Sequence, residues 1–223
     1  MEVRGQQIRK EYYRSGTGSN IFTAVEECDF LVPSGKLTVI HGRSGSGKST
    51  ILNMLAGILK PTGGSVFYDD TDLYSMRDEE LARFRNLHIG YVPQGRSAVP
   101  SLNVLENVAL PYALYEEDGE EAAAEMMERF GIADLSEVMP DRLSGGELRR
   151  MAIARALVRR PEVIFADEPT GDLDDENTQL VFGCFRKAAE EGAAVLIVSH
   201  ESDALNIAHA AFRMDGGQLS TLS

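Results

Sequence analysis

The nine residues Gly42-Arg43-Ser44-Gly45-Ser46-Gly47-Lys48-Ser49-Thr50 restrict this chain more than any other stretch. They fit the pattern G-x-x-x-x-G-K-[ST]. A short apolar run, Leu37-Thr38-Val39-Ile40, precedes them, and a helical apolar pattern, Ile51, Leu52, Met54 and Leu55, follows. Strand, glycine turn and helix in that order make a phosphate-binding P-loop. The glycines let the backbone turn tightly, so that successive N–H groups point at phosphate oxygens. The helix that starts near Lys48 adds the positive end of its dipole. Lys48 supplies a point charge for the β- and γ-phosphates, and the Ser49 hydroxyl is placed to ligate Mg²⁺. The expected ligand is a nucleoside triphosphate with its metal.

A second stretch complements the first. Val163-Ile164-Phe165-Ala166-Asp167-Glu168-Pro169 reads as a strand buried on both faces that ends in two adjacent carboxylates. Ligands of open parallel sheets sit beyond the carboxyl ends of the strands, so both acids are expected to face the P-loop. Asp167 is the expected Mg²⁺ holder, and Glu168 the residue that polarises the attacking water.

With 223 residues the chain is long enough for one large domain with a subdomain. Its net charge of −13 argues against a nucleic-acid surface, which needs clustered Lys and Arg. The one dense basic strip, Arg149, Arg150, Arg155, Arg159 and Arg160, reads as a solvated or partner-facing helix. The two cysteines, Cys28 and Cys184, lie in no metal-binding spacing and are expected in the core of a protein in a reducing compartment. Met1–Gln7 carries no apolar signal segment, and no apolar run approaches the roughly 18 residues that cross a bilayer. Any membrane role is expected to run through another polypeptide.

Along the chain, residues 1–35 read as strands and turns, with a loop at Ser15–Asn20. Ser65–Tyr68, His88–Val92 and Ala194–Val198 read as further strands. Asp78 reads as the cap of a helix through Arg85, Glu116–Glu121 as an acidic connector, Leu148–Val158 as a helical run, and residues 175–190 as another helix. Residues 95–160 are mostly helical in pattern. The expectation is an α/β nucleotide-binding core interrupted by a helical insert.

Leu143-Ser144-Gly145-Gly146-Glu147, placed before a helix between the two nucleotide motifs, resembles the LSGGQ signature of ATP-binding-cassette (ABC) ATPases. Other landmarks of that family follow in order. Gln94, after Gly90-Tyr91-Val92-Pro93, is similar to the Q-loop glutamine. Gly171-Asp172-Leu173-Asp174 resembles the D-loop, and His200, after Leu196-Ile197-Val198-Ser199, the switch histidine. Tyr12, beside Tyr13, resembles the aromatic residue that stacks on adenine. Leu105–Pro111, Glu147 and Ala166–Asp174 look like the lipoprotein-releasing and macrolide-exporter (LolD/MacB-like) branch. Gln94 departs from it by preceding Gly95-Arg96-Ser97-Ala98, where relatives carry an aromatic residue and Asn.

The resemblance covers essentially the whole chain. It implies a single ABC ATPase domain over 1–223, with 1–94 and 161–223 as the nucleotide-binding core, an N-terminal antiparallel β-subdomain, and 95–160 as the helical subdomain. It implies ATP and Mg²⁺ as cofactors, with Gln94 and His200 sensing metal, water and γ-phosphate. It also implies a second copy of the chain, whose Ser144, Gly145 and Gly146 complete the ATP site, an integral membrane permease, and a cytoplasmic place for this chain, peripheral on the inner face of the cell membrane through that permease. A non-transport ABC ATPase working on nucleic acid or the ribosome is the alternative. The acidic balance and the single cassette weigh against it.

Overall fold

The computed structural model describes residues 1–13, 21–95, 97–171 and 173–222. The loop expected at Ser15–Asn20, Arg96 after the Q-loop and Asp172 of the D-loop fall, wholly or mostly, outside the described residues. The N-terminal strands β1 (Val3–Tyr13) and β2 (Ile21–Val32) pair antiparallel. With β4 (Gly63–Tyr68) and β5 (Thr71–Asp72) they form a four-stranded antiparallel sheet in the order β2-β1-β4-β5. Between them come β3 (Leu37–His41), the P-loop and helix α1 (Lys48–Leu55).

Then follow α2 (Asp78–His88), β6 (Ile89–Val92), α3 (Val104–Ala113), α4 (Glu120–Arg129) and α5 (Gly145–Leu157). The chain closes with β7 (Val163–Asp167), α6 (Asp175–Glu190), β8 (Ala194–Ser199), β9 (Ala210–Asp215) and β10 (Gln218–Leu222). A six-stranded sheet runs β10-β9-β3-β8-β7-β6, parallel throughout except for β10 at its edge.

The central strands are buried on both faces because their side chains alternate between two apolar clusters. Ile164, Ala166, Val195 and Ile197 pack toward α3–α6, whereas Val163, Phe165, Leu196 and Val198 pack toward α1 and the antiparallel sheet. This double burial fixes register, since a slip by one residue would swap the two sets.

Several local expectations shift. α2 begins at Asp78, but its cap is Arg77, whose N–H donates to the Glu80 carboxylate (3.1 Å). His88 ends that helix rather than opening β6. Glu120 and Glu121, read as connector, form the first turn of α4, where their charge suits the helix dipole. α5 starts at Gly145, three residues before the apolar run, because Ser144 caps it.

The segment between β6 and α3 has little regular structure and is tied down by one side chain. Asn107, fully buried, donates from Nδ2 to the carbonyls of Val99 (3.1 Å), Leu102 (2.8 Å) and Asn103 (3.0 Å). Its Oδ1 accepts from the Val99 N–H (2.8 Å) and from Arg155 (3.2 Å). Asn107→Ala strands several of these groups and is predicted to cost about 2–4 kcal/mol. Urea unfolding of the variant should show a lower midpoint at unchanged slope.

Candidate functional site

Strand register brings the predicted residues to one edge. His41 lies opposite Ser199, Asp167 opposite Val198, and Val92 opposite Ala166. The carboxyl ends of β3, β8, β7 and β6 therefore lie side by side, and the loops that leave them carry the P-loop, His200, Glu168 and Gln94. They enclose a cavity of about 410 Å³ lined by His41, Gly42, Arg43, Ser44, Glu168 and His200, with Gln94 at its wall.

Two glycines of the P-loop are required by geometry. A Cβ at Gly42 would run into the Met214 carbonyl. Gly47 has φ 108° and backs onto the Ala24 carbonyl of β2, so any side chain there is both strained and blocked. The first-turn N–H groups of α1, at Lys48, Ser49 and Thr50, have no partner within their helix and point out of its start. Lys48 is 5% exposed. Its ammonium donates to the carbonyls of Gly42 (2.7 Å) and Arg43 (3.0 Å) and lies 3.7 Å from Glu168 Oε1. Arg43, Ser44 and Gly45 are exposed at the rim, while Ser46 is buried with its hydroxyl unpartnered within the protein.

The acid pair divides its tasks by environment. Glu168 adopts a left-handed backbone (φ 47°), and its N–H donates to the Val198 carbonyl (2.9 Å). Its Oε2 accepts from the Ser199 hydroxyl (3.2 Å) and the His200 N–H (3.2 Å), and lies 2.9 Å from His200 Nδ1. Asp167 is 3% exposed. Burial pushes its carboxyl above the ordinary range, against the opposing pull of a Ser49 hydrogen bond and the Lys48 charge. Its Oδ1 is buried and has no hydrogen-bond partner. A hard, oxygen-seeking cation fits that orphaned oxygen beside the Ser49 hydroxyl. Among the described residues no group of three His, Cys, Asp or Glu side chains is arranged to hold a metal.

Ser144, Gly145 and Gly146 do not line this cavity. Ser144 closes a capping box: its N–H and hydroxyl both donate to Glu147 Oε2 (2.7 Å each), and the Glu147 N–H donates to the hydroxyl (3.3 Å). The Ser144 hydrogen bonds hold the Glu147 carboxyl below its usual range. Ser144 and Gly145 remain exposed. Tyr12 also lies outside the cavity lining, opposite Phe22 at the end of β1, with the Lys10 ammonium 5.4 Å from its ring.

One expectation holds only in part. The basic strip is not uniformly solvated: Arg160 is exposed, but Arg149 is 5% exposed and buried beneath the site. Its guanidinium donates to the carbonyls of Pro93 (2.6 Å), Gly95 (3.4 Å), Asp167 (2.9 Å), Glu168 (2.6 Å) and Pro169 (2.8 Å). Arg155 is half-buried and binds Ser97 and Asn107. A run of arginines carries no mark of burial, but Leu148, Met151, Ala152, Ile153, Ala154 and Leu157 around it are apolar on more than one face, which signals a buried helix.

Comparison with known proteins agrees with this geometry. The family model described as ABC transporter matches residues 25–171. The lipoprotein-releasing system ATP-binding protein LolD of Idiomarina loihiensis is 36% identical over 203 residues, covering 89% of this chain and 88% of its own. The macrolide export ATP-binding/permease protein MacB of Rhodopirellula baltica is 36% identical over 217 residues, 94% of this chain but 31% of that larger protein. Among solved structures, an ATP-binding cassette in a dimeric post-hydrolysis state bound to ADP and Pi superposes with a TM-score of 0.90 at 32% identity, over 99% of each chain. The chain belongs to the ABC transporter ATP-binding family, with the P-loop α/β fold and the ATP-hydrolysing activity of that class.

The raised Asp167 carboxyl has a stability consequence. Between its unfolded and folded pKa values the folded state binds more protons, so stability falls as pH rises across that window and stays lower at neutral pH. Asp167→Asn removes the buried charge. The ligand-free variant is therefore predicted to melt at a higher temperature than the parent near pH 7, and to gain less than the parent when Mg²⁺ and ATP are added. Thermal melts with and without Mg²⁺ and ATP read both effects.

Proposed function

We propose that this chain is the ATP-binding and ATP-hydrolysing subunit of a transporter or mechanotransmitter, closing as a dimer around two ATP to drive a membrane-embedded partner. The observation that carries the reading is the Glu168 carboxylate held between Lys48, Ser199 and His200 at a P-loop cavity. Lys48 and the P-loop N–H groups, from Gly42 to Thr50, hold the β- and γ-phosphates. Ser49 and Asp167, with Gln94, hold Mg²⁺, which when bound neutralises charge developing on the phosphates. Glu168 takes the proton of the attacking water, and His200 donates to the γ-phosphate. An arriving γ-phosphate competes with Glu168 for Lys48 and His200, freeing the carboxylate to meet water. Tyr12 stacks on the adenine.

The exposed Ser144-Gly145-Gly146 helix start serves the ATP of a second copy of the chain. Its exposure and its absence from the chain's own cavity support that reading, as does the dimeric form of the ADP- and Pi-bound relative. Residues 1–94 and 161–223 act as the nucleotide-binding core, and 95–160 as the helical subdomain. Between them, α2 and β6 face α3 and α5 across a groove of about 360 Å³ that includes Ile58, Arg85, Tyr91, Leu110, Leu114 and Arg159. Leu114 is 64% exposed there. An amphipathic segment of the membrane partner suits this groove. No helix among the described residues is long and apolar enough to cross a membrane, so attachment to the inner face of the membrane runs through that partner. The cargo is of the lipoprotein, antimicrobial-peptide or macrolide type, and the names of the lipoprotein-releasing and macrolide-export relatives support the first and last of these.

Glu168→Gln keeps the side chain's shape and removes the base. Turnover should fall by roughly 10²–10⁴-fold, and ATP with Mg²⁺ should convert the variant to a dimer in size-exclusion chromatography with light scattering. A variant that stays monomeric at saturating ATP sinks the shared-site mechanism for the isolated chain.

A further inference from the structure

Two loops meet helix α5 at one side chain that the roles above leave unused. Arg149 sits in the second turn of α5, the helix that begins at Ser144-Gly145-Gly146. A guanidinium has five N–H donors in a fixed planar fork. Here Nε points to the Pro169 carbonyl, Nη1 to Pro93 and Gly95, and Nη2 to Asp167 and Glu168. Pro93 and Gly95 flank Gln94. Asp167 to Pro169 form the turn that leaves β7. The carbonyls of that turn can all face one cation because Glu168 is left-handed (φ 47°), a conformation that L residues with a side chain avoid. Without a cation, those oxygens would be buried together and repel.

We infer that Arg149 is a positioning residue for ATP hydrolysis, which locks the Gln94 loop and the Glu168 turn to helix α5 as one unit. This rests on the roles proposed above for Gln94 and Glu168. Two physical consequences follow. The left-handed turn aims the Glu168 carboxylate at Lys48, Ser199 and His200, so loss of the fork lets the base relax away from the water. The same fork makes the placement of Gln94 and Glu168 depend on the position of α5, whose start is the surface offered to the second nucleotide. Arg149 touches backbone at each of these contacts, so it acts through other groups rather than on substrate.

The test is a double-mutant cycle on the full chain, using Arg149→Lys, Glu168→Gln and the pair. Lysine keeps the charge but offers three donors from a point rather than a planar fork. Arg149→Lys is expected to lower kcat by about 10- to 100-fold while the KM for ATP moves less than about twofold. On the Glu168→Gln background the same substitution should cost almost nothing further, because the base it positions is already gone. Asn107→Ala loosens the same helical region without touching these carbonyls, and is the control for stability loss. It should lower the melting temperature but leave kcat intact well below that temperature.

Additive losses in the cycle, or an unchanged kcat in a folded Arg149→Lys chain, overturn the inference. If Glu168→Gln itself leaves turnover intact, the reading of Glu168 fails instead, and the two failures are distinct. Should Arg149→Lys not fold, hydrogen exchange on the unmodified chain decides. Amides at 94–95 and 168–171 are expected to open together with α5, and exchange of either loop independently of that helix overturns the proposal.

Discussion

The site depends on how four parallel strands are held in register. β3, β8, β7 and β6 align so that His41, Ser199, Asp167 and Val92 finish at one edge of the sheet. That alignment comes from double-sided burial. Val163, Phe165, Leu196 and Val198 fill one apolar cluster, and Ile164, Ala166, Val195 and Ile197 fill the other. A slip of one residue between β7 and β8 would swap these sets between faces and move Glu168 away from His200. The precision of the polar site is therefore set by apolar packing beneath it, and α1 and α6 keep both faces dry.

On that frame the site stores unfavourable arrangements. Asp167 has a buried, unpartnered oxygen, Glu168 a left-handed backbone, and Lys48 and Glu168 form an ion pair with side chains 5% and 11% exposed. Each costs on the order of 1–3 kcal/mol in a protein that lacks compensation. Compensation here is local and electrostatic. Lys48 is held by the carbonyls of Gly42 and Arg43, and Arg149 gathers the carbonyls around the Glu168 turn. In the proposed function the triphosphate and cation complete the same network, and binding supplies the partners that the fold withholds.

Two helix starts share the anion chemistry but differ in finish. α1 opens with Gly47, which has no side chain to cap it and leaves its first N–H groups uncapped. α5 opens with Ser144, whose polar groups are occupied by Glu147. In the proposed reading the first holds the nucleotide of its own chain. The second lies exposed and self-capped, which suits a surface that meets its ligand only on association.

Motif and spacing sufficed for the P-loop, the acid pair, the alternation of strands and helices, and the ABC resemblance. These features are local: a glycine turn before a lysine, two acids after an apolar strand, a serine three residues before a glutamate. Their physics is contained in a few consecutive residues. Arg149 was illegible for the opposite reason. Its five acceptors come from residues 93–95 and 167–169, and only the folded chain brings those carbonyls to one point. The boundary at His88 and the cap at Arg77 were likewise decided by the neighbours each residue met, not by its own preference. Sequence alone determined which chemical groups the chain carries and the order in which they follow one another. Tertiary structure decided which of them meet, because strand register and buried hydrogen bonds act between residues that the sequence holds far apart.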